Sequence, residues 1–492
     1  MKKLSLIDLA FLLVETEDSP KHVAGLMIFK PPLGKRDDFA RELYEELCEA
    51  DKPLEPFNLE FHMFSVGGPS WRPTENFDLS QHLFYHRPET PLSRSDLYEM
   101  ISKLHEPRLD RSRPLWEFHI IDNVEKGRFA IYSKIHHAYA DGVTLTGWTS
   151  KSLNEKPDAE HFTPVWQLSP GRRSRRSKRG GRSSPAATAS GLLRRLLRGS
   201  VKQLKTTGGL ARLGAQLTLE RFGLTKNAVS LPFRLDERTP LMGQVTAERQ
   251  FAKASVPMAH VKRIRDMCRA TLNHVALTCV DGALHQYLKD SGSDIRRPIS
   301  IQMPVSLRSK EDTGGGNQIG LIAVDLSRTT DDPYERLREI GFTLRNVRNQ
   351  IDGVPAASIV QYSIILGVAS QLTELLRLND VLPSISDTVV SNVPGPAEHL
   401  YLKDAIMEEM CPVSTLIAGS HLNITLYSYA GTLQFGLVAT RELGDLQRLA
   451  AHIEKAFVDL EEAVFHPRKS KSKSKPKPMA KKRAPRKRRA KA

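Results

Sequence analysis

The stretch that decides the fold is Phe129-Ala-Ile-Tyr-Ser-Lys-Ile-His-His-Ala-Tyr-Ala-Asp-Gly142. Two sets of side chains alternate along its first part: Phe129, Ile131, Ser133 and Ile135 on one side, and Ala130, Tyr132 and Lys134 on the other. This alternation predicts a half-buried β-strand. Gly142 permits a tight turn after the strand, and residues 143–148 have the composition of a helix start.

The end of this strand carries a pattern of two histidines, three further residues and Asp-Gly. Neutral histidine is a natural proton acceptor near pH 7. Because neighbouring residues of an extended chain face opposite ways, His136 and His137 cannot share one role, and one can face a cleft while the other is held inside. The competing interpretation is a surface histidine pair before an ordinary Asp141-Gly142 turn.

Length and composition indicate two cytoplasmic domains. A chain of 492 residues exceeds one ordinary core and suggests domains of roughly 150–230 residues. The four cysteines lack metal-ligand or CxxC spacing, as expected of buried thiols in a reducing compartment. Acidic residues follow the short apolar run near the amino terminus, which argues against a signal peptide. The most apolar stretch, Ile359–Leu372, is interrupted by polar residues and predicts a core helix.

The net charge of +16 is concentrated in two segments. Residues 468–492 contain 14 Lys or Arg and residues 171–206 contain 12, and neither segment contains an acidic residue. The rest of the chain therefore has a net charge of −10. The composition of residues 468–492 predicts a disordered tail. The composition of residues 171–206 predicts a mobile link followed by a basic amphipathic helix over 192–205. That helix fits two interpretations equally well: packing in a groove between domains, or contact with an anionic lipid surface.

These features predict four regions. They are an N-terminal domain over 1–165, a basic linker and helix over 166–233, a C-terminal domain over 234–465 and the tail over 466–492. In the second domain, Val261–Leu288 reads as two helices joined near Thr271, and strands are predicted over Arg297–Leu307, Ile319–Leu326 and Leu422–Thr440. Because no regular βαβ repeat is present, a mixed α/β (α+β) class is expected and not a doubly wound sheet.

Several function classes are disfavoured. Adjacent histidines at a strand end are poor joint metal ligands, and HExxH and GxSxG are both missing from the sequence. The glycines of Gly314–Gly320 miss the spacing of both nucleotide-binding loops. The basic tail lacks interleaved aromatics, so it predicts unspecific phosphate contact and no specific nucleic acid.

The ordered motifs resemble the bacterial wax ester synthase/diacylglycerol acyltransferase family over nearly the whole chain outside the linker and tail. The motifs that carry the resemblance are Leu4-Ser-Leu-Ile-Asp8 to Glu15, His22-Val23, Gly25, Trp71, Phe77-Asp78, His82, Leu109–Glu117, the histidine motif, Asn273, Pro304–Arg308, Gly316-Asn317, Ser391–Pro396 and Leu422–Thr425. Each motif alone is weak evidence of a relationship, but the occurrence of all of them in the order found in the family is specific to it.

The resemblance implies two chloramphenicol acetyltransferase-like domains with the active site between them. It implies transfer of an acyl group from acyl-CoA, as co-substrate, to diacylglycerol or a fatty alcohol, with no cofactor and no metal. His137 would be the general base, with His136 supporting the loop. Asp141 would hold the loop, by pairing with Arg308 or as a helix cap.

The remaining candidate residues each carry two interpretations. Asn273 would bond the oxyanion or alcohol, or cap a helix. Pro114-Leu115-Trp116 would shape the acyl channel, or pack in the core. Ser391-Asn392 would face the acyl donor, or form a rigid turn.

Two positions depart from the family pattern, because Asn273-His274 and Met242-Gly243 stand where Asn-Asp and Asn-Gly are usual. The acceptor stays open between diacylglycerol, a fatty alcohol or both. The alternatives are a condensation-type acyltransferase with a non-lipid acceptor, and a non-enzymatic scaffold that binds through its basic tail. For the enzyme we expect a cytoplasmic location with peripheral contact to the inner membrane or lipid inclusions.

Overall fold

A computed structural model describes residues 2–4, 6–35, 37–64, 68–158, 160, 162–168, 238–293, 295, 297–306, 319–328, 330–351, 356–382 and 384–466. The predicted basic link and amphipathic helix, Arg308 and the tail beyond residue 466 lie outside these residues.

The described part contains helices in both halves. They are α1 (Leu6–Val14), α2 (Phe39–Cys48), α3 (Arg94–His105), α4 (Gly142–Ser152), α5 (Met258–Cys268), α6 (Leu272–Asp290), α7 (Pro333–Ile351), α8 (Ala356–Leu375) and α9 (Leu446–Phe465). The predicted helix after Gly142 and the predicted pair joined near Thr271 are confirmed as α4, α5 and α6.

The strands follow the same order along the chain. They are β1 (Lys2–Lys3), β2 (His22–Lys30), β3 (Leu59–His62), β4 (Ser70–Pro73), β5 (Leu83–His86), β6 (Trp116–Val124), β7 (Arg128–His136), β8 (Arg249–Pro257), β9 (Ser300–Ser306), β10 (Ile319–Asp325), β11 (Thr388–Pro394), β12 (Tyr401–Leu402), β13 (Ala405–Val413), β14 (Leu422–Tyr429) and β15 (Thr432–Thr440). The predicted strands of the second half are confirmed as β9, β10 and the β14–β15 hairpin.

Two six-stranded mixed sheets form the frame, which confirms the mixed α/β class. The N-terminal sheet has the order β12-β13-β2-β7-β6-β5, and the C-terminal sheet has the order β10-β9-β11-β14-β15-β8. Strands β12 and β13 come from the second half of the chain but extend the N-terminal sheet, where β13 pairs antiparallel with β2. The two halves are therefore joined by backbone hydrogen bonds as well as by side-chain packing.

Strand β7 follows the predicted alternation but is buried on both faces. Phe129, Ile131 and Ile135 belong to one apolar cluster, while Ala130 and Tyr132 belong to another that includes residues of the second half. The prediction of a half-buried strand was wrong because α3 of the same half and residues of the C-terminal half together cover the face that would otherwise meet solvent. A strand with both faces covered is normally found in the interior of a layered fold.

Helix α8 corrects a second expectation. It covers Ile359–Leu372 as predicted, but it is not a core helix, because Ile365, Val368 and Leu372 are all exposed. Among the described residues, no helix combines the length and the apolar character needed to cross a membrane.

Gly436 lies at a close approach between the two sheets. A Cβ atom on this β15 residue would lie 1.8 Å from the carbonyl oxygen of Pro412 in β13 and 3.4 Å from Sγ of Cys411. Since the nearest atom belongs to the backbone, a side chain fits only if the sheets separate. Glycine is required here for the close approach of two backbones.

We predict that Gly436→Ala destabilises the protein by about 1–3 kcal/mol, the usual cost of overpacking. Gly147→Ala is the matched control, because nothing lies within 4 Å of its Cβ position in α4 and alanine favours a helix interior by about 0.5–1 kcal/mol. Denaturant unfolding of both variants tests this. Equal stability of the two would show that the sheets do not meet at Gly436.

Candidate active site

A cavity of about 530 Å³ lies where the two halves meet. This volume falls in the usual range of ligand pockets, about 300–1,000 Å³. The N-terminal half contributes Phe11, Lys21, Val23, Ile135, His137 and Gly142, and the C-terminal half contributes Gln302, Val368, Ser391, Asn392, Asn423 and Thr425. Most of the remaining wall is aliphatic or aromatic, so the cavity suits an apolar ligand.

His137 lies on the wall of this cavity, just past the end of β7. Its backbone N–H donates to the carbonyl of Lys21 at 2.9 Å. Its imidazole stacks on Phe11, with ring centroids 4.3 Å apart and an interplanar angle of 12°. Burial lowers the pKa of His137 below 6.5, while its own backbone carbonyl and the charge of Asp141 act in the opposite direction. The ring is therefore neutral at pH 7, which is the form that accepts a proton.

His136 points away from the cavity and is fully buried. Its Nδ1 accepts a hydrogen bond from the backbone N–H of Ala138 at 3.0 Å, so the ring proton resides on Nε2. This nitrogen lies 3.4 Å from Oε1 of Glu15. The structure thus places the two histidines on opposite sides of the backbone, in agreement with the alternation of an extended chain.

Glu15 is the centre of a buried ionic cluster that the sequence did not reveal. Its carboxylate accepts the backbone N–H of Lys21 at 3.0 Å and an N–H of Arg111 at 2.8 Å, in addition to facing His136. Burial alone would raise the pKa of Glu15, but His136, the Lys21 amide and Arg111 lower it to about 2. An acid directly after the apolar run of α1 was the available sequence signal.

Lys21 is a second residue that sequence reasoning missed. It lines the cavity and is buried, and its Nζ donates to Oγ of Ser19 at 2.6 Å and to the carbonyl of Leu416 at 3.1 Å. Burial lowers its pKa to about 8, with Glu374 and Glu15 opposing the effect. Because Leu416 belongs to the second half, Lys21 links the segment that holds His137 to that half.

Asp141 caps helix α4. Its carboxylate accepts the backbone N–H of Thr144 at 2.8 Å and the hydroxyl of Thr144 at 2.7 Å. Gly142 follows at the first helical position, where a Cβ would lie 3.1 Å from Cγ2 of Val393. The capping interpretation of Asp141 is what the structure shows. The proposed partner Arg308 lies outside the described residues.

The Pro114-Leu115-Trp116 block supports the histidine loop and does not line the cavity. The carbonyl of Leu115 accepts the N–H of His136 at 3.0 Å, and its N–H donates to the hydroxyl of Tyr139 at 3.0 Å. Trp116 is fully buried, and its Nε1–H donates to the carbonyl of Phe57 at 2.8 Å. Of the two interpretations of this block, core packing is the one the structure shows.

Asn273 and Asn392 meet although they are far apart in sequence. The Asn392 amide donates to Oδ1 of Asn273 at 2.7 Å, and Asn392 lines the cavity. Asn273 does not cap α6, because Thr271 holds that position and accepts the backbone N–H of His274 at 3.2 Å. Ser391 lies on the cavity wall, with its Oγ 2.8 Å from Oγ1 of Thr425.

Comparison with known families shows which family the chain belongs to. The family model described as wax ester synthase/diacylglycerol acyltransferase catalytic domain matches residues 4–276, and the one described as WS/DGAT C-terminal domain matches residues 315–461. The chain belongs to this family. The family members it resembles include a putative diacylglycerol O-acyltransferase of Mycobacterium bovis, 33% identical over 93% of this chain and 98% of the relative. The O-acyltransferase WSD of Acinetobacter baylyi is 31% identical over 92% of this chain and 96% of the relative.

Solved structures confirm the two-domain fold. The wax ester synthase/diacylglycerol acyltransferase of Marinobacter aquaeolei VT8 matches with a TM-score of 0.71 and 27% identity, over 94% of this chain and all of that chain. The first condensation domain of the CDA synthetase matches with a TM-score of 0.55 and 13% identity, over 95% of this chain and 96% of that domain's chain. The second match shows a shared fold and nothing further.

Of the two departures from the family pattern, the one at His274 has a local explanation, and nothing in the structure explains Met242 in place of asparagine. Nδ1 of His274 accepts the backbone N–H of Thr271 at 3.4 Å and completes a reciprocal capping box, a role that a carboxylate oxygen also fills. Met242 forms an isolated bridge with Ser420, and a Cβ on Gly243 would lie 2.5 Å from the ring of His421. The departure at His274 therefore lies in a structural position.

We predict that Glu15→Gln lowers stability by about 3 kcal/mol near neutral pH, because it leaves buried partners without their counter-charge. The folded-state pKa is depressed, so the contribution of Glu15 is complete above pH 4.5 and is lost as the pH falls toward 2. Glu17→Gln is the control, since the pair of Glu17 with Arg108 is largely exposed and contributes about 0–1 kcal/mol. Denaturant unfolding at neutral pH measures both variants. Equal free energies of unfolding for Glu15→Gln and Glu17→Gln would contradict this account.

The capping role of Asp141 predicts different results for two substitutions. Asp141→Ala should cost about 0.5–2 kcal/mol, whereas Asp141→Ser retains an oxygen for the N–H of Thr144 and should keep the melting temperature. Turnover should follow the same order. If Asp141→Ser melts normally but loses turnover as severely as the alanine variant, the charge itself acts in catalysis.

Proposed function

We propose that this enzyme transfers a long-chain acyl group from acyl-CoA to the hydroxyl of diacylglycerol, a fatty alcohol or both, giving triacylglycerol or wax ester. The observation that carries the proposal is the neutral imidazole of His137 on the wall of an apolar cavity between the two halves. A hydroxyl is weakly acidic, so a positioned base accelerates its attack. General-base catalysis of this kind contributes about 10²–10⁴-fold.

The reaction then needs three functions from the chain. His137 accepts the hydroxyl proton as the oxygen attacks the thioester carbonyl, and the resulting tetrahedral oxyanion collapses with release of the CoA thiolate, which takes the proton from His137. The oxyanion needs a hydrogen-bond donor. We assign that role to Asn392, which lines the cavity and is held by Asn273. The apolar wall excludes water, which would otherwise hydrolyse the thioester.

Two neighbouring residues keep His137 in place. The carbonyl of Lys21 holds the His137 backbone, and Glu15 fixes His136 next to it. Because a thioester is already activated, the reaction requires no resident cofactor or metal.

We place the enzyme in the cytoplasm, at the surface of the inner membrane or of lipid inclusions. The proposed acceptors dissolve in lipid and not in water, so the enzyme must meet them there. The basic tail over 468–492 can contact anionic head groups through its 14 cations. Specific recognition of nucleic acid is not part of this proposal.

The central test offers purified enzyme palmitoyl-CoA with hexadecanol or with diacylglycerol, and follows free CoA and the lipid product. We expect ester from at least one acceptor, and a loss of about 10²–10⁴-fold in His137→Ala with an unchanged melting temperature. Retained turnover in this variant would refute the role of His137. A natural chain that makes no ester from either acceptor would refute the proposed substrates.

The tail generates a separate prediction. Removal of residues 468–492 should weaken the salt-sensitive part of binding to anionic vesicles, because each cation near such a surface contributes about 1 kcal/mol. Vesicle sedimentation at low and high ionic strength measures this. Equal salt sensitivity of the truncated and natural chains would exclude the tail from membrane contact.

A further inference from the structure

The side chain of Lys21 places a buried cation on the wall of a largely apolar cavity. His22 pairs with His136 where β2 and β7 run side by side. One step further, the N–H of His137 donates to the carbonyl of Lys21 at 2.9 Å. Opposite residues of an antiparallel pair point to the same face, with Cβ atoms about 4.5–5.5 Å apart. Lys21 and the imidazole of His137 therefore face the same part of the cavity.

The protein satisfies the ammonium group of Lys21 only in part. A lysine ammonium has three N–H donors and no acceptor. One donor of Lys21 reaches Oγ of Ser19 at 2.6 Å and another reaches the carbonyl of Leu416 at 3.1 Å. The described residues provide no acceptor within hydrogen-bonding distance of the third. That donor is free to bind a molecule in the cavity.

A second buried lysine shows the contrasting arrangement. Lys134 lies on β7 and is 1% exposed, but it does not line the cavity. Its Nζ donates to the carbonyls of Leu104 at 3.0 Å and Pro107 at 2.5 Å, and lies 3.7 Å from a carboxylate oxygen of Glu117. Protein groups therefore surround this ammonium on three sides, as expected for a structural lysine.

Gln371 of α8 adds a second unsatisfied donor to the cavity wall. It lines the cavity and is 5% exposed, and its Nε2 has no hydrogen-bond acceptor within the described part of the chain. The hydroxyl of its neighbour Ser370 donates to the carbonyl of Ala418 at 3.1 Å, two residues after the carbonyl that Lys21 contacts. Both donors thus adjoin the segment 416–418. A buried donor without an acceptor is costly, so a bound ligand is the expected source of one.

The charges around Lys21 favour a neutral ligand. Burial lowers the pKa of Lys21 to about 8, and the charge of Glu374 is the largest influence in the opposite direction. Glu374 lies one turn along α8 from Gln371 and outside the cavity wall, where its carboxylate accepts the backbone N–H of Gly419 at 3.0 Å. Because a buried carboxylate already balances the ammonium, an anionic ligand would bring an unpaired charge into the cavity. A carbonyl oxygen accepts the free N–H without adding charge.

We propose that Lys21 and Gln371 form a subsite that binds an ester carbonyl of the acceptor and makes diacylglycerol the preferred acceptor. The inference rests on the proposed function, because it requires the acceptor hydroxyl to meet His137. Diacylglycerol carries ester carbonyls a few bonds from its hydroxyl, within reach of a long side chain opposite His137. A fatty alcohol has no oxygen besides its hydroxyl, so it leaves both donors unsatisfied.

The test compares two ligands that differ only in these carbonyls: dioctanoylglycerol, with ester links, and dioctylglycerol, with ether links. Isothermal titration calorimetry measures the Kd of each for the full chain, dispersed in a non-ionic detergent and without an acyl donor. We expect the natural chain to bind the diester about tenfold more tightly than the diether, the effect of a hydrogen bond to a charged donor. Turnover of diacylglycerol and hexadecanol with palmitoyl-CoA is measured separately.

Two substitutions remove the donors one at a time. Lys21→Met should reduce the ratio of the two Kd values to about threefold or less, because methionine is similar in length but donates no hydrogen bond. Gln371→Leu should also reduce the ratio. It should keep the natural melting temperature, because Nε2 of Gln371 makes no hydrogen bond to the described residues.

Lys134→Met is the matched control, because it removes the same group from a buried position outside the cavity. Both lysine variants should lower the melting temperature, since each leaves buried acceptors without a donor. Lys134→Met should keep the natural ratio of the two Kd values, whereas a purely structural role of Lys21 would leave the ratio unchanged in both variants.

Equal affinities of the natural chain for diester and diether would overturn the proposal. So would a natural ratio in both Lys21→Met and Gln371→Leu, or an equal fall of the ratio in the two lysine variants. If Lys21→Met kept the ratio but raised the KM for palmitoyl-CoA alike with both acceptors, the subsite would belong to the acyl donor. Preference for the diester in calorimetry, without ester formation in the acyl-transfer assay, would instead refute the proposed reaction and leave the subsite standing.

Discussion

The buried charge of Glu15 is the interaction on which the site depends. One carboxylate joins the end of α1, the start of β2 through the Lys21 amide, the side chain of Arg111 and the ring of His136. A buried charge is costly unless its partners surround it, and these three partners come from separate parts of the N-terminal half. Satisfying Glu15 therefore fixes the position of His136, and the alternation of the backbone then turns His137 toward the cavity.

The pairing of β13 from the second half with β2 of the N-terminal sheet is the second constraint. Because β13 extends the N-terminal sheet beside β2, the following segment passes the base of the cavity. There, the hydroxyl of Thr415 donates to the carbonyl of Pro20 at 2.8 Å, and Lys21 donates to Leu416. The half that carries His137 and the half that carries Asn392 are thereby held in one geometry. A rigid arrangement of base and donor is what preorganised acyl transfer requires.

Local features of the fold could be predicted from sequence, whereas nonlocal ones could not. Strand β7, the orientation of the two histidines and the α5–α6 junction follow from periodicity and capping residues close in sequence. The pairing of β13 with β2, the contact of Glu15 with His136 and the burial of Trp116 depend on residues far apart along the chain, and no local pattern encodes them. The exposure of helix α8 was misjudged because an almost uncharged helix has too little periodicity to show which side meets solvent. At the site, the motif identifies His137 and Asp141 as candidates. The role of Lys21 is visible only in the structure, where it contacts the carbonyl of Leu416.

The most direct test of this account is the titration of His137 by nitrogen-15 NMR in the full chain, with the resonance assigned by its loss in His137→Gln. Burial in the apolar cavity predicts a midpoint below 6.5, so the imidazole is neutral at pH 7 and ready to accept a proton. A midpoint above 7 would mean that the ring is mainly protonated under working conditions. That result would contradict the assignment of His137 as the general base.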